Sequence, residues 1–180
     1  KEATADWTVE EWKKLFLHQN NIGNPDIYAF IAKKIEELTA GKFFKECVAE
    51  NMSYIEKNVY STTDKEALYK SDILLSAVKA LNRISSSSAK EEGEQAFRMC
   101  NPVNEHILYE LAEYVAAQCE DKLPEMISDE SIDGDKLVAL LSMCIQENKR
   151  NDKIYAAMKQ RFKKIPDNSE TKDIFAAIFG

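Results

Sequence analysis

The chain of 180 residues carries 31 acidic against 24 basic side chains, and its formal charge of −7 argues against a protein that coats nucleic acid nonspecifically. Five glycines, four prolines and no alternating run of β-branched residues exclude a sheet-rich fold and predict helices throughout. One domain of this length buries a core without disulfides or metals, because roughly 70% of the unfolded surface disappears on folding.

Thr8-x-x-Glu11 is a capping box, in which each side chain satisfies a backbone N–H at the other residue, and behind it Val9, Trp12, Leu15 and Phe16 form the stripe of a first helix. The polar Gln19–Gly23 turn ends it. Asn24 followed by Pro25 supplies a cap and a first-turn proline for a second helix, whose apolar face is Ile27, Ile31, Ile35 and Leu38 up to Gly41. Phe43, Phe44, Cys47, Val48, Met52, Ile55 and Val59 predict a third helix, broken at Ser61 and Thr62. Thr63-x-x-Glu66 predicts the cap of a fourth, with a stripe of Leu68, Leu75, Val78 and Leu81 and with Ile73 and Ala77 beside it.

Ser85 to Ser88 is the one low-complexity segment, and it reads as a flexible linker over 85–90, unless Ser88-x-x-Glu91 caps the helix holding Ala96, Phe97 and Cys100. Asn104 starts a helix with Ile107, Leu111, Val115 and Cys119 inward, and the Pro124 segment then leads to the Asp133-Gly134-Asp135 turn. A final hairpin is predicted near 136–148 and 151–165. Pro166 to Ser169 breaks the chain before a closing helix with Ile174, Phe175, Ile178 and Phe179.

The first hairpin returns 127 residues later without a gap: Asn24-Pro-Asp-Ile27-Tyr28-Ala29 lines up with Asn151-Asp-Lys-Ile154-Tyr155-Ala156. Trp12 then pairs with Ala139, Phe16 with Met143, Ile31 with Met158 and Ile35 with Phe162. A partial third copy begins at Asn104 and sets Val115 against Ile35. Repeated hairpins stack to bury their faces, and they build surfaces far more often than active sites.

Charge is uneven along the chain. From Asn101 to Asp135 ten acidic residues face Lys122 alone, a balance of −9, whereas from Lys136 to Lys164 eight basic residues face Glu147 and Asp152, a balance of +6. Lys149, Arg150 and Lys153 at the hairpin tip, with Lys159, Arg161 and Lys163 beyond, are therefore the candidate contacts to phosphate or to a protein partner. The competing expectation is a solvated helix face whose charges pair with the acidic stretch before it.

Chemistry-bearing patterns are weak elsewhere. Asp129-x-Ser131-x-Asp133-Gly134-Asp135 has the alternating oxygens of a calcium loop, but Leu140 stands where a bidentate Glu belongs and Lys136 where an apolar residue belongs, so a helix-capping turn is expected. His18 and His106 have no ligand or triad spacing, no Glu-x-x-His pair lies on one helix, and no glycine-rich phosphate loop occurs. No catalytic residue, metal site or cofactor is expected. Trp12, Tyr28, Phe30, Phe43 and Phe44 recur at helical spacing, which favours core packing over base stacking. Cys47, Cys100, Cys119 and Cys144 are too dispersed for a zinc site or redox pair, and as buried thiols they fit an intracellular or organelle-matrix compartment. No apolar run approaches the roughly 18–20 residues of a membrane span. A start at Lys1 rather than methionine is what a removed presequence or a trimmed chain leaves.

Segments 24–35 and 136–145 with 151–162 resemble the helical hairpins of organellar FAST-kinase-like and RAP-domain proteins, in which a leucine-rich helix, a polar Asn/Asp turn and a second helix opening on Leu/Ile-Tyr/Phe recur. The resemblance implies a mitochondrial or other organellar protein working on RNA or within a ribonucleoprotein assembly, and it transfers no catalytic residue.

The expectation is thus an all-α, solenoid-like array of antiparallel hairpins forming one domain over 1–180, with a basic terminal hairpin at 136–165. Its expected role is non-catalytic: a scaffold or adaptor binding protein partners in a larger organellar assembly, without membrane insertion. RNA binding through the last hairpin is the alternative.

Overall fold

The computed structural model describes residues 7–18, 24–59, 63–149 and 151–166, together with residues 172, 173 and 176. Every regular element among them is helical. The α-helices are α1 (Val9–His18), α2 (Pro25–Thr39), α3 (Lys42–Asn51), α4 (Lys65–Arg83), α5 (Lys90–Met99), α6 (Glu105–Gln118), α7 (Leu123–Ser128), α8 (Gly134–Gln146) and α9 (Asp152–Lys164), with 3-10 turns at Met52–Tyr54 and Glu120–Lys122. None is long and apolar enough to cross a membrane. The Gln19–Gly23 turn, the break at Ser61 and Thr62, and Ile174, Phe175, Ile178 and Phe179 of the expected closing helix lie outside the described residues.

The caps follow side-chain chemistry. The Thr8 N–H donates to Glu11 Oε2 at 2.7 Å and the Glu11 N–H returns a longer bond to Thr8 Oγ1 at 3.4 Å, closing the capping box. Asn24 Oδ1 accepts from the N–H groups of Asp26 and Ile27, and Asn151 Oδ1 accepts from that of Ile154. For α4 the cap is Asp64, which accepts from Glu66 and Ala67, rather than Thr63. An ionised carboxylate is the stronger acceptor at a positive helix end.

The third helix is shorter than its apolar spacing predicts. It stops at Asn51, and although Ile55 and Val59 beyond it are buried, they are not part of α3. The Ile55 carbonyl accepts instead from the Asn101 N–H and, with the Lys57 carbonyl, from Asn104 Nδ2 at 2.9 Å, so a neighbouring segment takes the bonds that a continuing helix would have used. Conversely, the Pro124 segment contains a helix, α7, with the proline inside its first turn, where its missing N–H does no harm. The α4 stripe also turns away from the predicted one: Ala67, Ser71, Leu74, Val78 and Leu81 are buried, whereas Leu68 and Ile73 are only partly so. Small Ala67 and Ser71 permit close helix approach without announcing themselves as apolar.

The core is centred on α6, which packs against α4, α5 and α8. Seven of its 14 residues are buried, Leu111, Tyr114 and Val115 among them. A Cβ built on Gly93 of α5 would lie 2.6 Å from the Tyr114 ring, so only glycine allows α5 to approach so near. Asn82 Nδ2 donates to the Glu110 carbonyl at 2.9 Å and ties α4 to α6. On one side α1 packs on α2 and α3 on α4; on the other, α8 packs chiefly on α6 and α9 on α7 rather than on one another. The last predicted hairpin therefore has its two helices, but each lies against a different neighbour.

The serine run is a tethered turn. Ser86 Oγ donates to the Glu36 carboxylate, and the Ser88 N–H donates to Ser86 Oγ at 3.2 Å. Ser88 does not cap α5, whose first residue is Lys90 and whose cap position is Ala89. A left-handed Ala40-Gly41 pair, φ +49° and +78°, turns the chain from α2 to α3 beside Ser88, and a Cβ on Gly41 would come within 2.6 Å of the Ser88 side chain.

Candidate functional site

The basic residues of the terminal region divide into three groups. Lys149 Nζ donates to Glu120 Oε2 and Lys164 Nζ to Glu130 Oε1, each at 2.7 Å, so part of the basic island neutralises the acidic stretch that precedes it. These hydrogen-bonded lysines hold the Glu120 and Glu130 carboxyls below the ordinary range. Arg161 points inward: it is 7% exposed, and its Nη2 donates to the Ile132 carbonyl at 3.0 Å while Nη1 is buried without a hydrogen-bond partner. Arg150 lies outside the described residues. Lys153, Lys159 and Lys163 are exposed.

Two of those exposed lysines share a line. Tyr155, Lys159 and Lys163 follow one another at intervals of four along α9, and the Lys159 ammonium sits 4.6 Å from the centroid of the Tyr155 ring. Tyr155 is 48% exposed and offers an aromatic ring at the end of a row of two cations. The residue-type count along the chain does not isolate this stripe; the four-residue spacing does.

A second surface lies at the other end of the chain order and was not legible as a site. Ile27, Phe30 and Leu38 on α2 are 46%, 51% and 51% exposed. Lys34 stands between them, its ammonium 5.9 Å from the Phe30 centroid. Phe30 meets Trp12 at 5.9 Å and Trp12 meets Trp7 at 5.0 Å, so the stripe continues into an aromatic row. The adjoining face of α2 (Ile31, Ala32, Ile35) is buried, and Tyr28 donates to the Ser76 carbonyl at 2.5 Å. Ile27 and Leu38 read as core in a simple 3.6 pattern, yet α2 is apolar on a wider arc than its neighbours cover.

The remaining candidates do not converge on chemistry. Asp129 bonds the Ser131 N–H and hydroxyl through Oδ1 and Arg98 through Oδ2, so its oxygens are committed within the turn, and these partners lower its pKa, the Ser131 hydroxyl most. No group of three His, Cys, Asp or Glu side chains able to hold a metal occurs among the described residues. His18 is exposed at the end of α1, and His106 lines a shallow depression with Glu105, Tyr109, Glu110 and Glu113. Burial pushes the thiols up, Cys119 to about 11 and Cys47, Cys100 and Cys144 to about 12, which makes them poor nucleophiles.

No family model matches the chain, and no curated protein or solved structure matches it either.

Proposed function

We propose that this chain is a non-catalytic helical-repeat binding protein, an adaptor or scaffold subunit of a larger assembly. The observation that supports it best is the exposed apolar stripe of Ile27, Phe30 and Leu38 with its aromatic extension, since contiguous apolar surface of this kind is what a protein partner covers. The resemblance of segments 24–35 and 151–162 to organellar hairpin proteins favours a mitochondrial or other organellar assembly. Three Asn-initiated helices in one chain fit a solenoid-like repeat, the form in which such surfaces commonly arise.

A second reading, RNA binding, is favoured by the Tyr155, Lys159 and Lys163 stripe, which combines a stacking face with phosphate-reaching cations. Purification of the native complex through a tag at Gly180, before and after nuclease treatment and across a salt series, separates the two. Protein partners that survive nuclease and salt support the adaptor reading. Recovery of RNA instead, with binding that falls steeply as salt rises, replaces it with the RNA reading.

A further inference from the structure

Three helices of this chain open on Asn-x-x-Ile: Asn24 to Ile27 in α2, Asn104 to Ile107 in α6 and Asn151 to Ile154 in α9. The isoleucine occupies the same place in each first turn, yet it is 2% exposed in α6, 0% in α9 and 46% in α2. The difference extends along the helix. Ile27, Phe30, Lys34 and Leu38 correspond, at a constant offset of 127, to Ile154, Ala157, Arg161 and Ile165. On α9, Ile154, Ala157 and Arg161 are buried at 0%, 6% and 7%, and Ile165 packs against the core.

What lies against α9 is α7, a single short helix whose Leu123, Met126 and Ile127 are all buried. The turn after it is pinned at two points, by Arg161 Nη2 on the Ile132 carbonyl and by Lys164 on Glu130. The chain thus shows what this stripe takes: an amphipathic helical turn with apolar residues at i, i+3 and i+4, an acidic residue just beyond it, and a carbonyl presented to the cation at the third position. Lys34 is that cation on α2, its side chain 42% exposed and its ammonium 3.2 Å from the exposed Glu37 carboxylate, a pair that an occupant's acidic residue and carbonyl would compete with.

We infer that the Ile27, Phe30, Lys34 and Leu38 stripe is a docking site for a short amphipathic helix of a partner protein, of the same chemistry as α7. This rests on the protein-binding reading above and adds the site and the shape of its ligand. The occupant covers Phe30, which is in edge contact with the buried Trp12 indole and so couples the stripe to it.

The test uses the full chain and a synthetic peptide of residues 120–132, which carries α7 and the turn to Ile132. The chain has two tryptophans, Trp7 and Trp12, both beside the stripe, so their emission reports occupancy. The expected result is a saturable shift in tryptophan emission at peptide concentrations up to about 1 mM, weakened about tenfold or abolished by Phe30→Asp and unchanged by Lys159→Glu. Phe30 is half exposed, so that variant retains the wild-type circular dichroism. Absence of a saturable response overturns the inference, as does a response that survives Phe30→Asp. So does sedimentation of the wild type as a dimer that Phe30→Asp dissociates, which would give the stripe to a second copy. If the Phe30→Asp chain still recovers the native protein partners, the site is wrong and the adaptor reading stands; if neither chain recovers protein, the adaptor reading itself falls.

Discussion

α6 and α9 begin alike, with asparagine at the cap position and isoleucine three residues on, and then serve opposite ends. α6 is walled by α4, α5 and α8, and its cap asparagine is wholly buried, spending Nδ2 on the carbonyls of Ile55 and Lys57 in another segment. α9 is buried along one stripe against α7, its cap asparagine is exposed, accepting from the Ile154 N–H and donating to Glu120 Oε1 at the surface, and its outer side carries Lys153, Lys159 and Lys163. A shared opening motif therefore fixes where a helix starts and which residue turns inward first. It does not fix how many sides are covered, which depends on neighbours distant in sequence.

Substitutions can break this contrast. The largest effect is expected at the centre: Leu111→Ala removes a fully buried side chain and should lower unfolding free energy by about 3–5 kcal/mol in urea denaturation. Tyr155→Ala on the exposed side of α9 should change it by less than about 0.5 kcal/mol. Equal losses would mean that α9 is as enclosed as α6. Next, Gly93→Ala should cost about 1–3 kcal/mol, because the added methyl meets the Tyr114 ring rather than a flexible side-chain end. A thermal midpoint unchanged by that substitution would show that α5 and α6 can separate freely.

The asparagines sharpen the comparison. Asn104→Ala removes two hydrogen bonds from a buried amide, to carbonyls that keep the Asn101 and Val59 N–H groups, and should cost about 2 kcal/mol, whereas Asn24→Ala and Asn151→Ala lose a surface cap worth about 1 kcal/mol each. Similar values at all three positions, measured by the same denaturant series, would reduce Asn104 to an ordinary cap. Apart from the Tyr155 reference, the smallest effect is expected for Arg161→Met. Its buried guanidinium makes one hydrogen bond to a carbonyl and leaves Nη1 unpaired, so Arg161→Met, which keeps the stem, should leave stability within about 1 kcal/mol of the parent. Arg161→Ala, which also removes the buried stem, should cost more. A large loss with methionine would instead assign the charge itself a structural role.

Much of this fold was legible in the sequence, and the failures share a cause. Thr8, Glu11 and Asn24 act within three residues of themselves, and Asn151 caps α9 the same way while its Nδ2 also reaches Glu120, so the caps can be read locally and the structure has them there. The end of α3 could not be read, because the segment that follows it is held by residues distant in sequence, Asn101 and Asn104, through the carbonyls of Ile55 and Lys57. The α4 stripe was misplaced for a related reason: Ser71 is buried because a neighbour comes close, not because it is apolar. Among the candidate site residues, charge alone could not separate Arg161, which turns inward, from Lys159 and Lys163, which do not. The α2 stripe is hidden in the sequence because Ile27 and Leu38 satisfy the core pattern; only their exposure, with no covering neighbour among the described residues, marks them.

The contact between Gly93 and Tyr114 sets a dimension of the molecule by an atom that is not there. The ring at 114 occupies the volume that a side chain at 93 would need, and the Tyr114 hydroxyl accepts the Ala89 N–H one turn earlier on the same approach. The two positions are thus coupled: a residue larger than glycine at 93 is relieved by a smaller one at 114, and a replacement there without a hydroxyl must leave the Ala89 N–H to another acceptor.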